Sequence, residues 1–539
     1  MNSVDSHGGM PSLRTLCKDL FRSSMTKSCY HIFFILAITM STAALYNKVA
    51  TSYFCSDDDF LEVYRAAFED IHNPAVMFTT PHFRSFKYRP LNRALNLLTY
   101  VVGNGRASAF RIRNLSFHLL NVTLVYVIAV LLRKPIPVAA TASLLFAVSP
   151  LANQSVIGAV MTNTAAHFMY LLALILFILS TRTANRQILY VFLAGLVAAA
   201  SLFCYDNEIV VYGAMATYLF ILHFVLRQHF NKSITIVFSI MTACSLTIYF
   251  GARQMFVASG YHAAATSIPN LHVAIRNGVI YVAALLQVLD PVLLNQLFAT
   301  PLPSDATFVS GLHGIAFIVG TAFCAIAISA TIYFLAKASR PLETWAIDSF
   351  LLVAGLLPLL PILVLASHPS ETYLYLTVAL AMIVMMSLLY DLCWTGFRRP
   401  WIFVTLTSCL ALVFGAATWV RNQRVAACGA TSQKILAAIS HDGLRSGASL
   451  AFADAPGENS SKPYGYYRFT GLGTIASMNS MRSRSLQCAV RLVTGRPDLS
   501  VEMLDSEGLN RIENGALAPY DMLILVHSDG TIVQQKIVR

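Results

Sequence analysis

The stretch NLSFHLLNVTLVYVIAVLLRKP, residues 114–135, predicts the architecture of the whole chain. Its first part, residues 114–132, is predominantly apolar and carries no Asp, Glu, Lys or Arg. An apolar helix of about 20 residues is long enough to cross a bilayer. Arg133 and Lys134 follow directly, and basic residues beside a membrane helix are typical of its cytoplasmic end. The stretch therefore predicts a transmembrane helix that ends in the cytoplasm.

Further apolar runs of similar length occur along the chain and predict more spans. They cover residues 30–47, 136–152, 160–180, 187–204, 208–226, 233–251, 311–336, 345–366, 372–390 and 401–420. Together with residues 114–132 they predict a mainly α fold, a polytopic bundle of about eleven transmembrane helices.

The composition supports a membrane protein over a soluble one. Of the 539 residues, 56% are hydrophobic and only 12% are charged, whereas soluble domains carry about 25% charged residues. The formal net charge is +12, which in a membrane protein reflects cytoplasmic loops and contact with lipid headgroups. The sequence has no solvated basic domain with interleaved aromatic residues, so we expect the bilayer, and no nucleic acid, as a partner.

The distribution of basic residues gives the chain an orientation. Residues 1–29 are basic and lack a convincing cleavage site, so we interpret them as a cytoplasmic segment before an uncleaved first helix. Alternating the spans from this start places a basic pair in every cytoplasmic connection. The pairs are Arg133 and Lys134, Arg182 and Arg186, Arg227 and Lys232, Lys337 and Arg340, and Arg398 and Arg399.

Three segments are then external: residues 48–113, 252–310 and 421–539. Residues 30–420 form the transmembrane domain, and in the loop 252–310 the Asp290-Pro291 pair predicts a re-entrant or interfacial helix rather than a span. Residues 421–539 are richer in charge, Gly and Ser. There ASLAFADAP and YDMLILVHSDG each predict a buried strand, and TSQKILAAISHDGL predicts a helix. We therefore predict a small external α/β domain, in which Cys428 and Cys488 could pair if the compartment is oxidising.

The stretch FCSDDDFLEV, residues 54–63, places three carboxylates at the predicted membrane edge. Apolar residues from Phe60 to Ile71 recur at helical spacing, which predicts an amphipathic helix lying flat on the membrane. Its N-terminus would hold Asp57, Asp58 and Asp59. These carboxylates could cap the helix, or they could include a general base or a metal-binding or acceptor-orienting pair. A divalent cation is permitted but not required.

A basic cluster follows in HFRSFKYRPLNRAL, residues 82–95. Its members are Arg84, Lys87, Arg89 and Arg93. They could contact headgroups, or they could bind a phosphate, because arginine suits bidentate phosphate binding. Carboxylates and basic side chains together at the external surface indicate a reaction that deprotonates a hydroxyl while an anionic phosphate leaves. By contrast, His118 and Asn121 lie inside a predicted span, where we expect helix–helix hydrogen bonds.

The chain resembles the GT-C membrane glycosyltransferases over roughly residues 30–390. The resemblance rests on the acidic pair followed by YRPL and RIRNLSFHLLNVTLVYVIAVLL, and on LLFAVSPLANQSVIGAVMTNTAAHFMYLLAL, CYDNEIVVYGAMATYLF and SETYLYLTVALAMI. The most similar group is the protein O-mannosyltransferase-related one, including transmembrane and tetratricopeptide-repeat proteins and bacterial relatives. This sequence has no such repeats.

Several positions depart from that group's motifs. Its His-Pro is here Ser149-Pro150, its nearby Glu is Gln154, and its next Arg falls on Met161 or Thr162. The Lys of its KE pair is Asn207 beside a retained Glu208, and the Arg of its ERYLY segment is Thr372 beside a retained Glu371.

The resemblance implies an inverting transferase that moves a hexosyl or pentosyl group from a polyprenyl-phosphate donor to an acceptor hydroxyl. The acceptor would be a glycan, a glycolipid or a protein. Asp58 matches the group's first acidic residue and would be the base, with Asp59 assisting and Asp57 as a cap. The remaining implied site residues are Arg89 and Arg253 for the donor phosphate, and Tyr88, Glu208 and Glu371 around the pocket.

The alternatives are a transporter or flippase and a non-catalytic relative that binds lipid-linked sugar. A transporter would place its charges near the midplane and often contain repeats, whereas here most charges lie at the predicted external edge. The short loops favour a bacterial inner membrane, with the site facing the periplasm.

Overall fold

A computed structural model describes most of the chain. It covers residues 13–54, 57–80, 88–228, 231–256, 271–285, 333, 340–363, 371–437, 439, 445–454, 482–504, 520–526 and 532–536. Within these ranges the side chains of some residues, including Asp57, Asp58, Glu371 and Cys428, lie outside the description.

Helices dominate the described residues. They are α1 (Leu13–Ala50), α2 (Asp57–Arg65), α3 (Val76–Thr79), α4 (Pro90–Gly103), α5 (Ala107–Leu131), α6 (Ile136–Ala147), α7 (Pro150–Ile157), α8 (Asn163–Arg182), α9 (Gln187–Cys204), α10 (Val210–Phe220), α11 (Lys232–Phe256), α12 (Leu271–Leu285), α13 (Leu342–Leu356), α14 (Leu360–Leu363), α15 (Tyr375–Asp391), α16 (Pro400–Ala437) and α17 (Arg482–Thr494). Short π-helical turns follow α2, α10 and α15 at Ala66–Asp70, Ile221–Val225 and Leu392–Gly396.

Nine helices among the described residues are long and apolar enough to cross a membrane, or ten with one bent pair. They are Cys29–Ala50, Ala107–Leu131, Asn163–Arg182, Gln187–Cys204, Asp206–Val225, Lys232–Phe256, Leu342–Leu363, Thr372–Trp394 and Pro400–Ala437. The predicted helical membrane bundle is therefore confirmed, and the chain is an integral, multi-pass membrane protein. The predicted span 311–336 and the turn at Asp290-Pro291 lie outside the described residues.

The run 136–152 is a broken helix rather than one straight span. It consists of α6 and α7, which meet at an angle of 56°. Ser149 is extended, with φ −65° and ψ 126°, because the ring of the following Pro150 disfavours a helical conformation at the preceding residue. The Ser149 hydroxyl accepts a hydrogen bond from Leu151 N–H at 3.3 Å and begins α7 as an N-cap. The span at 136–152 stays a prediction, since α6 and α7 are long and apolar enough to cross a membrane only as a bent pair.

The bundle has two chemically different ends. We call one the basic end, defined by Arg133, Lys134, Arg182 and Arg340. The other, the loop end, is defined by residues 57–80 and by the turn 158–162 between α7 and α8. α5 begins at the loop end, where Arg111 donates to Ile157 C=O, and finishes at the basic end, where Arg182 donates to Leu131 C=O.

A buried ionic cluster holds the basic end together. Lys134 pairs with Asp348 of α13, and Arg340 lies 2.9 Å from Asp348 and 2.7 Å from Asp391 of α15. The Ser387 hydroxyl accepts from Lys134 at 3.2 Å and from Arg340 at 3.0 Å. The cluster therefore joins the α5–α6 connection to α13 and α15, and each buried charge has an opposite charge beside it.

The C-terminal region forms a mixed sheet, and the two strands predicted from its sequence are confirmed as β1 and β3. The strands are β1 (Ser449–Asp454), β2 (Ser500–Met503), β3 (Met522–Val526) and β4 (Ile532–Lys536), in the order β2-β1-β3-β4. β1 is parallel to both β2 and β3, whereas β4 is antiparallel to β3. The helix predicted in TSQKILAAISHDGL is the end of α16, continuous with the last span. Cys488 lies on α17, and its pairing with Cys428 remains a prediction.

The C-terminal unit packs against α2. Phe60 and Val63 of α2 are each 2% exposed and share one apolar cluster with Phe110 of α5 and Leu486 of α17. Arg491 of α17 lies 6.0 Å from the ring of Tyr64. The apolar face of α2 therefore meets protein, and the prediction that it lies in the headgroup layer was wrong. Burial against α17 removes the same apolar surface from water that lipid would have covered.

We expect Asp348→Ala to destabilise the fold by about 3–5 kcal/mol, because it leaves Lys134 and Arg340 buried without this carboxylate. Asp391→Ala is the matched control. Asp391 also pairs with Arg340, but it is 26% exposed, so its removal should lower the free energy of unfolding clearly less than Asp348→Ala does. Chemical unfolding in detergent measures both variants. Equal losses would contradict the cluster's role in the fold.

The sheet carries a pH-dependent contact at the start of β1. The Asp498 carboxylate accepts from Gly447 N–H at 2.6 Å and from the Arg496 guanidinium at 3.2 Å, and these bonds hold its pKa well below the ordinary value. A depressed pKa stabilises the fold above the unfolded pKa of about 4, and the contribution fades as pH falls towards the folded value. We expect the melting-temperature difference between wild type and Asp498→Asn to shrink from pH 7 to pH 3; a constant difference would contradict this.

Candidate functional site

The turn 158–162 is the centre of the loop end. α7 ends at Ile157, so its last carbonyls lack helical partners and, being buried, need donors. α5 supplies a donor to the last carbonyl of α7 and to the first two carbonyls of the turn: Arg111 donates to Ile157 C=O, Asn114 to Gly158 C=O at 2.5 Å, and Arg113 to Ala159 C=O at 2.9 Å. Arg111 also donates to Tyr53 C=O at 2.9 Å. These bonds fix the turn against the start of α5 and the chain entering α2.

Asp59 binds the same turn from the other side. Its side chain is buried, and Oδ1 accepts from Val160 N–H at 3.2 Å. Asn96 of α4 donates to Val160 C=O at 3.3 Å and accepts from Arg113 at 2.7 Å. The turn therefore connects α2, α4 and α5. The described contact of Asp59 positions the backbone, and its role toward an acceptor remains a prediction.

Asp57 and Asp58 occupy the first turn of α2, since the helix begins at Asp57. The predicted helix start at the three aspartates is confirmed. Carboxylates at this position are favoured by the positive end of the helix dipole. The side chains of Asp57 and Asp58 lie outside the description, so the assignment of Asp58 as a base and Asp57 as a cap stays a prediction.

Arg89 forms a charged contact at the start of α4. Its Nε donates to Asp206 Oδ1 at 2.7 Å, and its guanidinium lies 4.2 Å from the centre of the Tyr205 ring. The two side chains are 10% and 24% exposed, so the pair faces solvent in part. Burial lowers the pKa of Arg89, but the Asp206 carboxylate more than compensates and raises it above the ordinary value. Arg89 is therefore a fixed positive charge next to an aromatic surface.

Tyr88 links Arg89 to the end of α11. Its hydroxyl donates to Phe78 C=O at 3.1 Å, and its ring stacks on Phe256 with centroids 6.1 Å apart. Tyr249, 6.2 Å from the Tyr88 ring, lies one helical turn before Arg253 and within electrostatic range of both Arg89 and Arg253. The structure thus brings the two predicted phosphate-binding arginines to one region.

A polar column leads from Arg89 into the bundle. Glu208 is buried and its Oε1 lies 2.7 Å from His167 Nδ1. The His167 ring stacks on Tyr375 at 4.9 Å, and the Tyr375 hydroxyl contacts His118 at 2.7 Å and Asn121 at 3.0 Å. The predicted helix–helix hydrogen bonds of His118 and Asn121 are thereby confirmed. Glu371 opens the turn before α15, but its side chain lies outside the description.

α4 connects the two parts of the site. Arg89 precedes its first residue and Asn96 contacts the turn 158–162, which corresponds to about 10 Å along the helix axis. A partly exposed cation and the N-terminus of an acidic helix therefore lie on one end of the bundle. Such a pair can hold an anion at one point and a proton acceptor at another.

The described residues contain no cluster of metal ligands. Among the residues that the structure describes, no group of three or more His, Cys, Asp and Glu side chains could hold a metal ion. The side chains of Asp57 and Asp58 fall outside that set, so the permitted divalent cation remains a prediction.

Several site residues could not be identified from the sequence. Asp206 has no local sequence pattern that marks it as the partner of Arg89, which lies 117 residues away in the chain. Arg113 and Asn96 carry no local signal for the turn they bind. The Tyr205 ring is one more aromatic at a membrane edge, where aromatics are common.

Comparison with known proteins gives structural likenesses only. No protein-family model and no curated protein matches the chain. The structure is similar to the oligosaccharyltransferase AglB from Archaeoglobus fulgidus in complex with an inhibitory peptide and a dolichol-phosphate, with 12% identity, a TM-score of 0.49, and coverage of 87% of this chain and 64% of that one. This chain thus spans about 64% of that protein's length.

A second likeness is to ArnT from Cupriavidus metallidurans. In the apo state the identity is 10%, the TM-score is 0.36, and 93% of each chain is covered. The form bound to undecaprenyl phosphate gives 11% identity and the same TM-score, with 92% of this chain and 93% of that chain covered.

The contact between Asp59 and the turn can be tested by substitution. We expect Asp59→Ala to destabilise the protein by about 1–3 kcal/mol, because Val160 N–H stays buried and loses this acceptor. Asp59→Asn keeps a carbonyl oxygen for the same bond and should lose less. Unfolding in detergent compares the two variants, and a larger loss in the asparagine variant would show that the negative charge, not the hydrogen bond, is required.

Proposed function

We propose that the chain is an inverting glycosyltransferase that moves a sugar from a polyprenyl-phosphate donor to an acceptor hydroxyl at the loop end. The observation that carries the proposal is the arrangement around α4. A fixed, partly exposed arginine lies at its start, and the first turn of α2, with three aspartates, is bound to its middle through the turn 158–162. The sequence resemblance to the GT-C glycosyltransferases supports the same reaction.

Arg89 and Arg253 would hold the donor phosphate. The Asp206 carboxylate stabilises the positive charge of Arg89. One face of the guanidinium lies against the Tyr205 ring. Arg253 is partly buried at the end of α11. Cations placed where negative charge develops stabilise the transition state of a reaction that releases a phosphate.

The lipid part of the donor would lie along α11. Exposed apolar side chains cover this helix, including Ile248 and Met255, and Tyr88 and Phe256 form an apolar wall next to Arg89. An isoprenoid chain on this surface would remain in the hydrocarbon layer while its phosphate reaches Arg89.

The reaction would proceed in one displacement. The Asp58 carboxylate removes the proton of the acceptor hydroxyl, and the oxygen attacks the anomeric carbon of the sugar. The bond from that carbon to the phosphate oxygen breaks, and polyprenyl phosphate leaves with both electrons and is stabilised by Arg89 and Arg253. Attack opposite the leaving group inverts the anomeric centre.

Further residues of the site have supporting roles in this proposal. Asp59 fixes α2 against the turn 158–162, which would hold the neighbouring Asp58 in place. Tyr88 and Glu208 would line the pocket with Glu371, and Asp57 would cap the helix. The C-terminal unit packs on α2, so it would bind the acceptor, whether glycan, glycolipid or protein. We place the protein in a bacterial inner membrane, with the loop end in the periplasm.

We expect Asp58→Asn to lower the turnover and Arg89→Ala to lower the affinity for the donor. Removing a general base lowers the rate by a factor of about 10² or more, so the Asp58 variant should bind donor normally and lose turnover. Removing a charged hydrogen-bond donor costs about 1.5–3 kcal/mol, so the Arg89 variant should bind donor about 10- to 100-fold more weakly. Binding and transfer are measured on purified protein with a panel of polyprenyl-phosphate sugars.

Asp57→Asn is the control, because it removes one neighbouring carboxylate from the same helical turn. It should keep most of the wild-type turnover. Equal activity of the Asp58 and Asp57 variants would reject the assignment of the base. Donor binding with no transfer by any variant or by wild type would favour a non-catalytic binding protein, and donor movement across vesicles without transfer would favour a flippase.

A further inference from the structure

Three membrane helices end in an arginine whose backbone is left-handed. The φ angles are 58° at Arg133, 52° at Arg227 and 54° at Arg398. Elsewhere among the described residues, positive φ occurs at Asn104 and at glycines. Glycine is the usual residue at such a helix end, because a Cβ atom strains this backbone conformation. For the backbone alone, arginine is therefore an unfavourable choice at all three sites.

The left-handed conformation is part of how each helix ends. In each case the residue after the arginine donates its N–H to a carbonyl of the last turn: Lys134 to Ala129 at 2.9 Å, Gln228 to Leu222 at 2.8 Å, and Arg399 to Cys393 at 2.8 Å. In these hydrogen bonds the donor follows the arginine and the acceptor precedes it, so they satisfy carbonyls that have no partner within the helix. Relaxing the backbone would break them, so the strain persists in the folded state.

All three arginines lie at the basic end. The helices before them, α5, α10 and α15, each begin at the loop end and run away from it. The ionic cluster of Lys134, Arg340, Asp348 and Asp391 places the ends of α5 and α15 together. α10 follows Asp206, which pairs with Arg89 at the loop end, so its far end lies with the other two.

The three side chains are exposed. Within the part of the chain that the structure describes, none of them has an ion pair or side-chain hydrogen bond. The carboxylates Asp348 and Asp391 at this end are already bound by Lys134 and Arg340, and the exposed Glu343 is an additional negative group. Other exposed cations at the same end are Arg182, Arg186, Lys232 and Arg399.

We propose that Arg133, Arg227 and Arg398 form an anionic-lipid site, each binding the phosphate of a membrane lipid at the basic end. A guanidinium donates two parallel hydrogen bonds to a phosphate. Its charge is also favoured beside the negative end of a helix dipole and at an anionic membrane surface. These gains explain why arginine occupies positions whose backbone suits glycine. The site lies at the end opposite the proposed transferase site and does not depend on it.

The test compares three variants of the full-length protein in neutral detergent. The first replaces all three arginines by glycine (R133G, R227G and R398G). The second replaces them by lysine, which keeps the charge and the strain. The third is the charge-matched control R186A, K232A and R399A, which removes the same number of exposed cations from positions with negative φ. Melting temperatures are measured without lipid and after addition of phosphatidylglycerol or phosphatidylcholine.

Without lipid, the glycine variant should melt higher than wild type by a few degrees, since the strain is gone. Phosphatidylglycerol should raise the melting temperature of wild type through ligand binding, and this rise should fall at least about threefold in the glycine variant. The lysine variant should keep an intermediate rise, and the control should stay close to wild type.

Two results would overturn the proposal. An equal loss of the phosphatidylglycerol effect in the glycine variant and in the control would mean that only total charge matters. A glycine variant that responds to phosphatidylglycerol like wild type would mean that the three arginines bind no lipid. Native mass spectrometry provides a second readout, with fewer retained phosphatidylglycerol molecules expected on the glycine variant.

Discussion

The loop end depends on the buried carbonyl groups at the C-terminus of α7 and in the turn that follows it. A buried carbonyl must find a donor, and here Arg111, Asn114 and Arg113 of α5 provide three. The same turn then binds Asp59 through an N–H and Asn96 through a C=O. One break in a membrane helix therefore positions α2, α4 and α5 relative to each other. Together with the apolar cluster that Phe60 and Val63 share with Phe110, these bonds hold the acidic helix beside the start of α5.

Buried cations are paired with carboxylates at both ends of the bundle, but the basic end has additional exposed arginines. At the basic end, Lys134 and Arg340 are paired with Asp348 and Asp391, and exposed arginines remain beyond them. At the loop end, Arg89 is held by Asp206. In a low-dielectric interior an unpaired charge is costly, so pairing lets these cations stay buried while other cations remain exposed.

The C-terminal unit is joined to the bundle by a continuous helix and by packing against α2. α16 continues without a break from the last span to Ala437, and α17 buries the apolar face of α2. The helix that carries the three aspartates is thus covered by the sheet domain on its apolar side. An acceptor bound by that domain would approach the first turn of α2, which ties the domain to the proposed reaction.

The sequence by itself determined most of the described spans, the strands β1 and β3, and the start of α2, because hydropathy and side-chain periodicity are local properties of the chain. It also placed the three aspartates at the start of a helix. Only the tertiary structure decided that Arg89 pairs with Asp206, that Asp59 binds Val160, and that α2 packs on α17. Many helix pairings bury similar apolar area, so the choice among them rests on polar partners distant in sequence, for which no local pattern exists.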